Sequence, residues 1–262
     1  MLTITALTFK EALRKKILIA AIFLTVLFLV VYGIGLHYIA QDMAVRKAEF
    51  ATGGGSLSSE QEEAVRDLSK KGFFLLGIYF SSSIVSLLAI FSSIGSVSSE
   101  MENGMLHAIA AKPIRRRDII LGKFLGYALM LTSYSAVIFI SVLLLNHYIF
   151  GSNISGISSS VGLFIMQPLI LLSISLAGST RLSTLANGIA IFMLYTVGVI
   201  GGMLEQIGAF PFVNSAILVR IGEITSLIMP VDSIYRMIVT IVSGASMNPY
   251  QAMLIGPFGA IS

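Results

Sequence analysis

Long uncharged apolar runs alternate along the chain with short charged segments, and the runs have the length of membrane spans. Residues 17–39 carry no formal charge; at 1.5 Å per residue they predict about 34 Å of helix, enough to cross a hydrocarbon core of about 30 Å with some tilt. A second span is predicted over 73–97. The uncharged stretch 124–180 is too long for one helix, and the polar, glycine-containing segment Asn146–Ser160 divides it into spans at 124–145 and 161–178. A fifth span follows the lone Arg181, at 185–204. From Glu205 onward, Arg220, Glu223, Asp232 and Arg236 interrupt every run, and Pro211, Pro230, Pro249 and Pro257 add breaks. Residues 205–262 are therefore expected to lie along the membrane or re-enter it partway.

Composition agrees with this pattern. Of 262 residues, 56% are apolar and 11% charged, less than half the charged share of an average soluble domain, about 25%. Mean hydropathy is +0.91. A soluble globular fold is excluded, and so is intrinsic disorder, which needs the opposite bias. The fold class is an all-α polytopic bundle of transmembrane helices. The chain has no cysteine, which removes disulfides, thiolate metal sites and thiol catalysis. A net charge of +4 is too small to argue for nucleic acid.

Lysine and arginine in the flanks give an orientation. With the N-terminus cytoplasmic, the inside segments are 1–16, 98–123 and 179–184, carrying four, five and one basic residues. The first loop is the exception, with five basic residues against six acidic ones. The opening segment 1–16 reads as an interfacial helix. Leu2, Ala6, Phe9 and Leu13 form one apolar stripe, and Lys10, Arg14, Lys15 and Lys16 supply a membrane-surface charge. In the first loop, Ser59-x-x-Glu62 is a capping box. Acidic residues open the segment and Lys70 and Lys71 close it, with Glu62 and Arg66 an i,i+4 pair. A short solvated helix is expected there.

Small residues crowd the second span (Ser81, Ser82, Ser83, Ser86, Ser92, Ser93) and the fifth (Gly198, Gly201, Gly202). Close helix packing explains them more readily than a polar pathway. Pro168 is expected to kink the fourth span. No P-loop, HExxH or GxSxG occurs. His37 and His147 fall at the same ends of their spans, which makes a shared metal site a minor possibility against two ordinary interfacial histidines. The first four spans hold no carboxylate, which disfavours ion-coupled transport.

The densest polar information lies in 98–123, "SSEMENGMLHAIAAKPIRRRDIILGK". It predicts a short helix at 104–111, stopped by Lys112-Pro113, then a basic cluster and a second helix feeding the third span. A positive-inside anchor would account for the arginines, but not for the two glutamates, the glycine and the proline. The segment resembles the loop between the second and third spans of ABC-2 type transporter permeases. "LTFKEALRKKILIA", "STLANGIA", "GGMLEQIG" and "LIMPVDSIYR" extend the resemblance, which is to the permease class associated with multicopper-enzyme maturation.

The resemblance implies a transport subunit with no ATPase site of its own. ATP would be bound by a separate ATP-binding subunit, and a second permease, identical or not, would complete the pathway by alternating access. The coupling contacts would come from Glu100, Glu102, Gly104, Lys112, Pro113, Arg115, Arg116, Arg117 and Lys123. No cofactor, metal or nucleic acid is implied; membrane lipid is, and the location would be the plasma (inner) membrane of a prokaryote. The family has six spans, whereas the sequence supplies five before its end. An ion-coupled secondary transporter and a non-transporting membrane scaffold are the alternatives.

Overall fold

A computed structural model describes residues 2–53, 59–94, 96, 116–151, 154, 156–209, 213 and 215–243. These form eight helices and no strands: α1 (Leu2–Arg14), α2 (Lys16–Gly53), α3 (Ser59–Ser93), α4 (Arg116–Phe150), α5 (Ile157–Ser179), α6 (Thr184–Ala209), α7 (Ala216–Ile228) and α8 (Val231–Ser243). Five of them, α2 to α6, are long and apolar enough to cross a membrane. The polytopic helical bundle expected from the hydropathy pattern is the fold observed.

α3, α4 and α5 form the centre. Toward one end, Phe74, Phe139 and Phe164 are fully buried, their rings meeting at centroid distances of 6.0 and 5.4 Å. Toward the other, where α1 lies, Leu88, Tyr127, Leu131 and Leu172 fill the core. Side chains differ between these layers, but both are built of buried hydrophobic residues. The serines of α3 serve packing: Ser81, Ser82, Ser86, Ser92 and Ser93 are all buried. Ser82 Oγ donates to Gln167 Oε1 at 2.6 Å, and Gln167 Nε2 donates to Ser86 Oγ at 3.2 Å. Those bonds join α3 to α5, which runs on through Pro168.

α2 stands at the edge. From Lys16 to Val45 it buries only Leu18, Thr25, Tyr32 and Leu36, one narrow stripe on an otherwise apolar rod. α1 packs on α4 through a face different from the apolar stripe. Thr5, Thr8 and Ala12 are buried while Leu7 and Leu13 are exposed, because small residues let α1 approach Gly126, where an added Cβ would meet Thr8 Cβ at 2.7 Å. Of the apolar stripe, Ala6 and Leu13 are left exposed, while Phe9 packs partly against the core.

Several boundaries differ from expectation. The helix predicted in the first loop is not separate: it is the first part of α3, continuous to Ser93, while the side chains of Glu62 and Arg66 lie outside the described residues. Asn146, read as the start of a loop, is a fully buried residue within α4. Its amide donates to the Tyr32 hydroxyl at 2.7 Å, and that hydroxyl donates to Phe73 O at 2.9 Å. A polar residue so partnered does not end a span. Glu205 likewise fails to end α6, which continues to Ala209.

The tail forms a hairpin. α7 and α8 have 13 residues each, about 20 Å, too short to cross a bilayer. α7 runs back along α6 with glycines at the crossing: a Cβ at Gly208 would lie 2.7 Å from Leu218 Cβ, and one at Gly222 would lie 2.7 Å from Gly201 O. The turn at Met229 and Pro230 reaches Gly198, where a Cβ would meet Met229 Cβ at 2.9 Å. That level is roughly 16 Å from the end of α6. α8 then returns between α3, α5 and α6, with Tyr235 donating to Leu75 O at 3.1 Å. It ends beside Gly156, whose φ of 71° suits glycine and whose missing Cβ leaves room for Ile241.

Candidate functional site

The last turn of α3 leaves carbonyl groups without intrahelical partners, and it is from this turn that the polar segment 97–115 departs. Two lysines from other elements serve this turn and the residues just beyond it. Lys15, the single non-helical residue between α1 and α2, donates from Nζ to Ser92 O at 3.1 Å. The same Nζ donates to the Tyr127 hydroxyl of α4 at 2.7 Å and lies 4.9 Å from the Tyr127 ring centroid. Lys123 of α4, buried, donates to Ser96 O. Cations at a helix C-terminus are favourable both as donors to the free carbonyls and as charges against the dipole. The α1–α2 joint, the end of α3 and the start of α4 are thereby tied at one point.

α6 joins this foot as well. A Cβ at Gly188 would meet Ile94 Cδ1 at 2.9 Å, and buried Asn187 donates to Ser175 O at 3.1 Å, closing the turn between α5 and α6. Asn187 belongs to the stretch "STLANGIA" singled out above.

Of the residues expected to contact a partner, Arg117 is exposed in the first turn of α4 and Arg116 opens that helix. Lys123 is buried and turned toward Ser96, six residues from the exposed Arg117. Glu100, Glu102, Gly104, Lys112, Pro113 and Arg115 lie outside the described residues. Lys10, Arg14 and Lys16 are exposed, whereas Lys15 reaches into the bundle. His37 Nε2 lies 3.1 Å from Gln41 Nε2 in its own helix. No group of three or more metal-capable side chains occurs among the described residues.

A second polar cluster was legible in the sequence only as charges that break up the tail. Arg236 of α8 pairs with Glu205 of α6 and, at 3.1 Å from its Nε, with Asp232 Oδ2 one turn earlier. Asp232 is 7% exposed. Its carboxylate fills the space where a side chain on Gly202 would stand. Glu205 and Arg236 are 31 positions apart, and only the i,i+4 spacing of Asp232 and Arg236 hinted at the arrangement. The guanidinium holds two carboxylates, so the cluster fastens the α7–α8 hairpin to α6.

No curated protein matches the chain at a significant level. The family model described as ABC-2 family transporter protein matches residues 2–261. It covers nearly the whole chain, all five spans and the hairpin included, and the chain belongs to the ABC-2 transporter family.

Proposed function

We propose that this chain is the permease subunit of an ATP-driven ABC transporter, moving substrate by alternating access between two permease subunits. Membership of the family implies association with an ABC ATP-binding subunit, and that subunit would carry the ATPase site. The N-terminus faces the cytoplasm, so α1, the foot of α3 and Arg116–Arg117 lie on the side where a soluble ATPase docks. The membrane is the plasma membrane. Within the family, the 98–123 segment taken together with "LTFKEALRKKILIA", "STLANGIA", "GGMLEQIG" and "LIMPVDSIYR" favours the class associated with multicopper-enzyme maturation.

The observation that carries this reading is the clamp of Lys15 and Lys123 on the end of α3. A partner pressing on residues 98–115 would push on a point bonded to the α1–α2 joint and to α4 and packed against α6. Motion at the surface is therefore passed to several helices at once rather than absorbed by a loose loop. The ion-coupled alternative is less well supported, because both carboxylates of the Glu205–Asp232 cluster are held by Arg236.

A mild-detergent pull-down of the tagged chain from native membranes tests the proposal. The expected result is a stoichiometric soluble subunit bearing a P-loop, lost on Arg116→Glu/Arg117→Glu. A preparation of the intact chain that retains no such subunit would overturn it.

A further inference from the structure

An apolar groove of about 510 Å³ runs between α1, α2 and α4 on the outside of the bundle. Ile22, Val26 and Leu29 form one wall and Met130 and Val137 the other, with Leu13 at the α1 end. Four hydroxyl-bearing residues also line it, but each proton already has an acceptor within the bundle. Thr25 and Tyr134 are bonded to each other and share Ala21 O, at 2.9 and 3.1 Å, Ser133 donates to Leu129 O at 2.8 Å, and Ser141 donates to Val137 O at 2.8 Å. An occupant is offered hydrocarbon and shape, not hydrogen-bond donors.

Its dimensions select among apolar occupants. The lining runs from Leu18 to Leu29 on α2 and from Met130 to Ser141 on α4, each about 17 Å, close to half of a hydrocarbon core of about 30 Å. That is the depth of one leaflet.

The end at α1 is charged. Lys10 and Arg14 are exposed next to Phe9 and Leu13, and they line a second hollow along α1 with Leu7, Glu11 and Lys15. Lys15 is engaged with Ser92 and Tyr127 and lies 3.9 Å from Glu11. Lys10 and Arg14 on α1, and Lys16 at the start of α2, are the exposed cations at this end of the groove, and the two on α1 adjoin its lining residues Phe9 and Leu13 in sequence.

We infer that the groove binds one acyl chain of an anionic phospholipid, with the lipid phosphate on Lys10 and Arg14. The site lies in the leaflet on the α1 side. It rests on the groove and its charges, independently of what the protein transports.

Native mass spectrometry of the full chain, titrated with phosphatidylglycerol and with phosphatidylcholine of identical chains, tests this. Phosphatidylglycerol is expected to bind roughly ten- to thirtyfold more tightly, as two basic contacts near a membrane surface provide. Lys10→Gln/Arg14→Gln brings the two lipids level, while Arg181→Gln, at an exposed site between α5 and α6, leaves the preference in place. Ser133→Phe and Ser141→Phe, made separately, lower retention of both lipids. Equal binding by the unmodified chain overturns the inference, as does loss of the preference in Arg181→Gln. So does undiminished retention in both folded phenylalanine variants, or their conversion from dimer to monomer, which would mean that a second copy covers the groove. If neither phenylalanine variant folds, the charge variants decide alone.

Discussion

The carboxylate of Asp232 occupies the space that Gly202 leaves on the face of α6. A helix carrying an acid packs directly onto a helix carrying no side chain at that point. Gly202→Ala therefore forces α8 outward and separates Arg236 from Glu205. The expected loss is about 1–3 kcal/mol, read as a lower midpoint of unfolding in mixed micelles. Gly162→Ala, with nothing within 4 Å of its added methyl, should leave the midpoint within experimental scatter.

Removing the cation of that cluster is expected to do more. Arg236→Met leaves the partly buried Glu205 and the buried Asp232 facing one another without compensation. Breaking a fully buried pair costs about 3–5 kcal/mol, and the partial exposure of Glu205 and Arg236 puts this loss toward the lower end. The triple variant Arg236→Met/Glu205→Gln/Asp232→Asn, which removes all three charges, should recover most of the loss in the same unfolding assay. No recovery would mean that Arg236 acts mainly through its packing.

Tyr32 and Asn146 form a smaller unit of the same kind. Tyr32→Phe deprives the Asn146 amide of its acceptor and the Phe73 carbonyl of a donor. Measured interhelical hydrogen bonds in membranes average about 0.6 kcal/mol, and burial of Asn146 puts this one at about 1 kcal/mol. A double-mutant cycle with Asn146→Leu should return a coupling energy of that size between α2 and α4.

At the foot of α3, binding and transmission should separate. Arg117→Glu weakens capture of the ATP-binding subunit. Lys123→Met, at a buried position, leaves capture intact and reduces the stimulation of ATPase activity severalfold. ATPase assays on complexes matched for stoichiometry would distinguish the two. Equal loss of capture in both variants would show that Lys123 acts at the contact surface.

The spans were readable because twenty-odd apolar residues in a row have few other uses in a protein. Errors arose wherever a polar residue meets a distant partner. Asn146 looks like a break until Tyr32, 114 positions away, is placed beside it, and Glu205 looks like a terminus until Arg236 is. The face of α1 that packs inward was missed for a related reason. Apolar periodicity marks Leu2, Ala6, Phe9 and Leu13, but close approach to Gly126 favours Thr5, Thr8 and Ala12. Of the candidate site, the sequence singles out Arg117 and Lys123 as expected partner contacts, whereas the inward direction of Lys123 and the engagement of Lys15 depend on where α3 ends.

α3 is one unbroken helix of 35 residues from Ser59 to Ser93, about 52 Å long. On the proposed reading, a rod of that length, tied by lysines at one end, would serve as a lever arm. A tilt of only 10° about the clamped end would sweep the opposite tip through roughly 9 Å. Spin labels at 59–66, at that opposite end, are then expected to report any movement that nucleotide in the partner subunit produces at the foot.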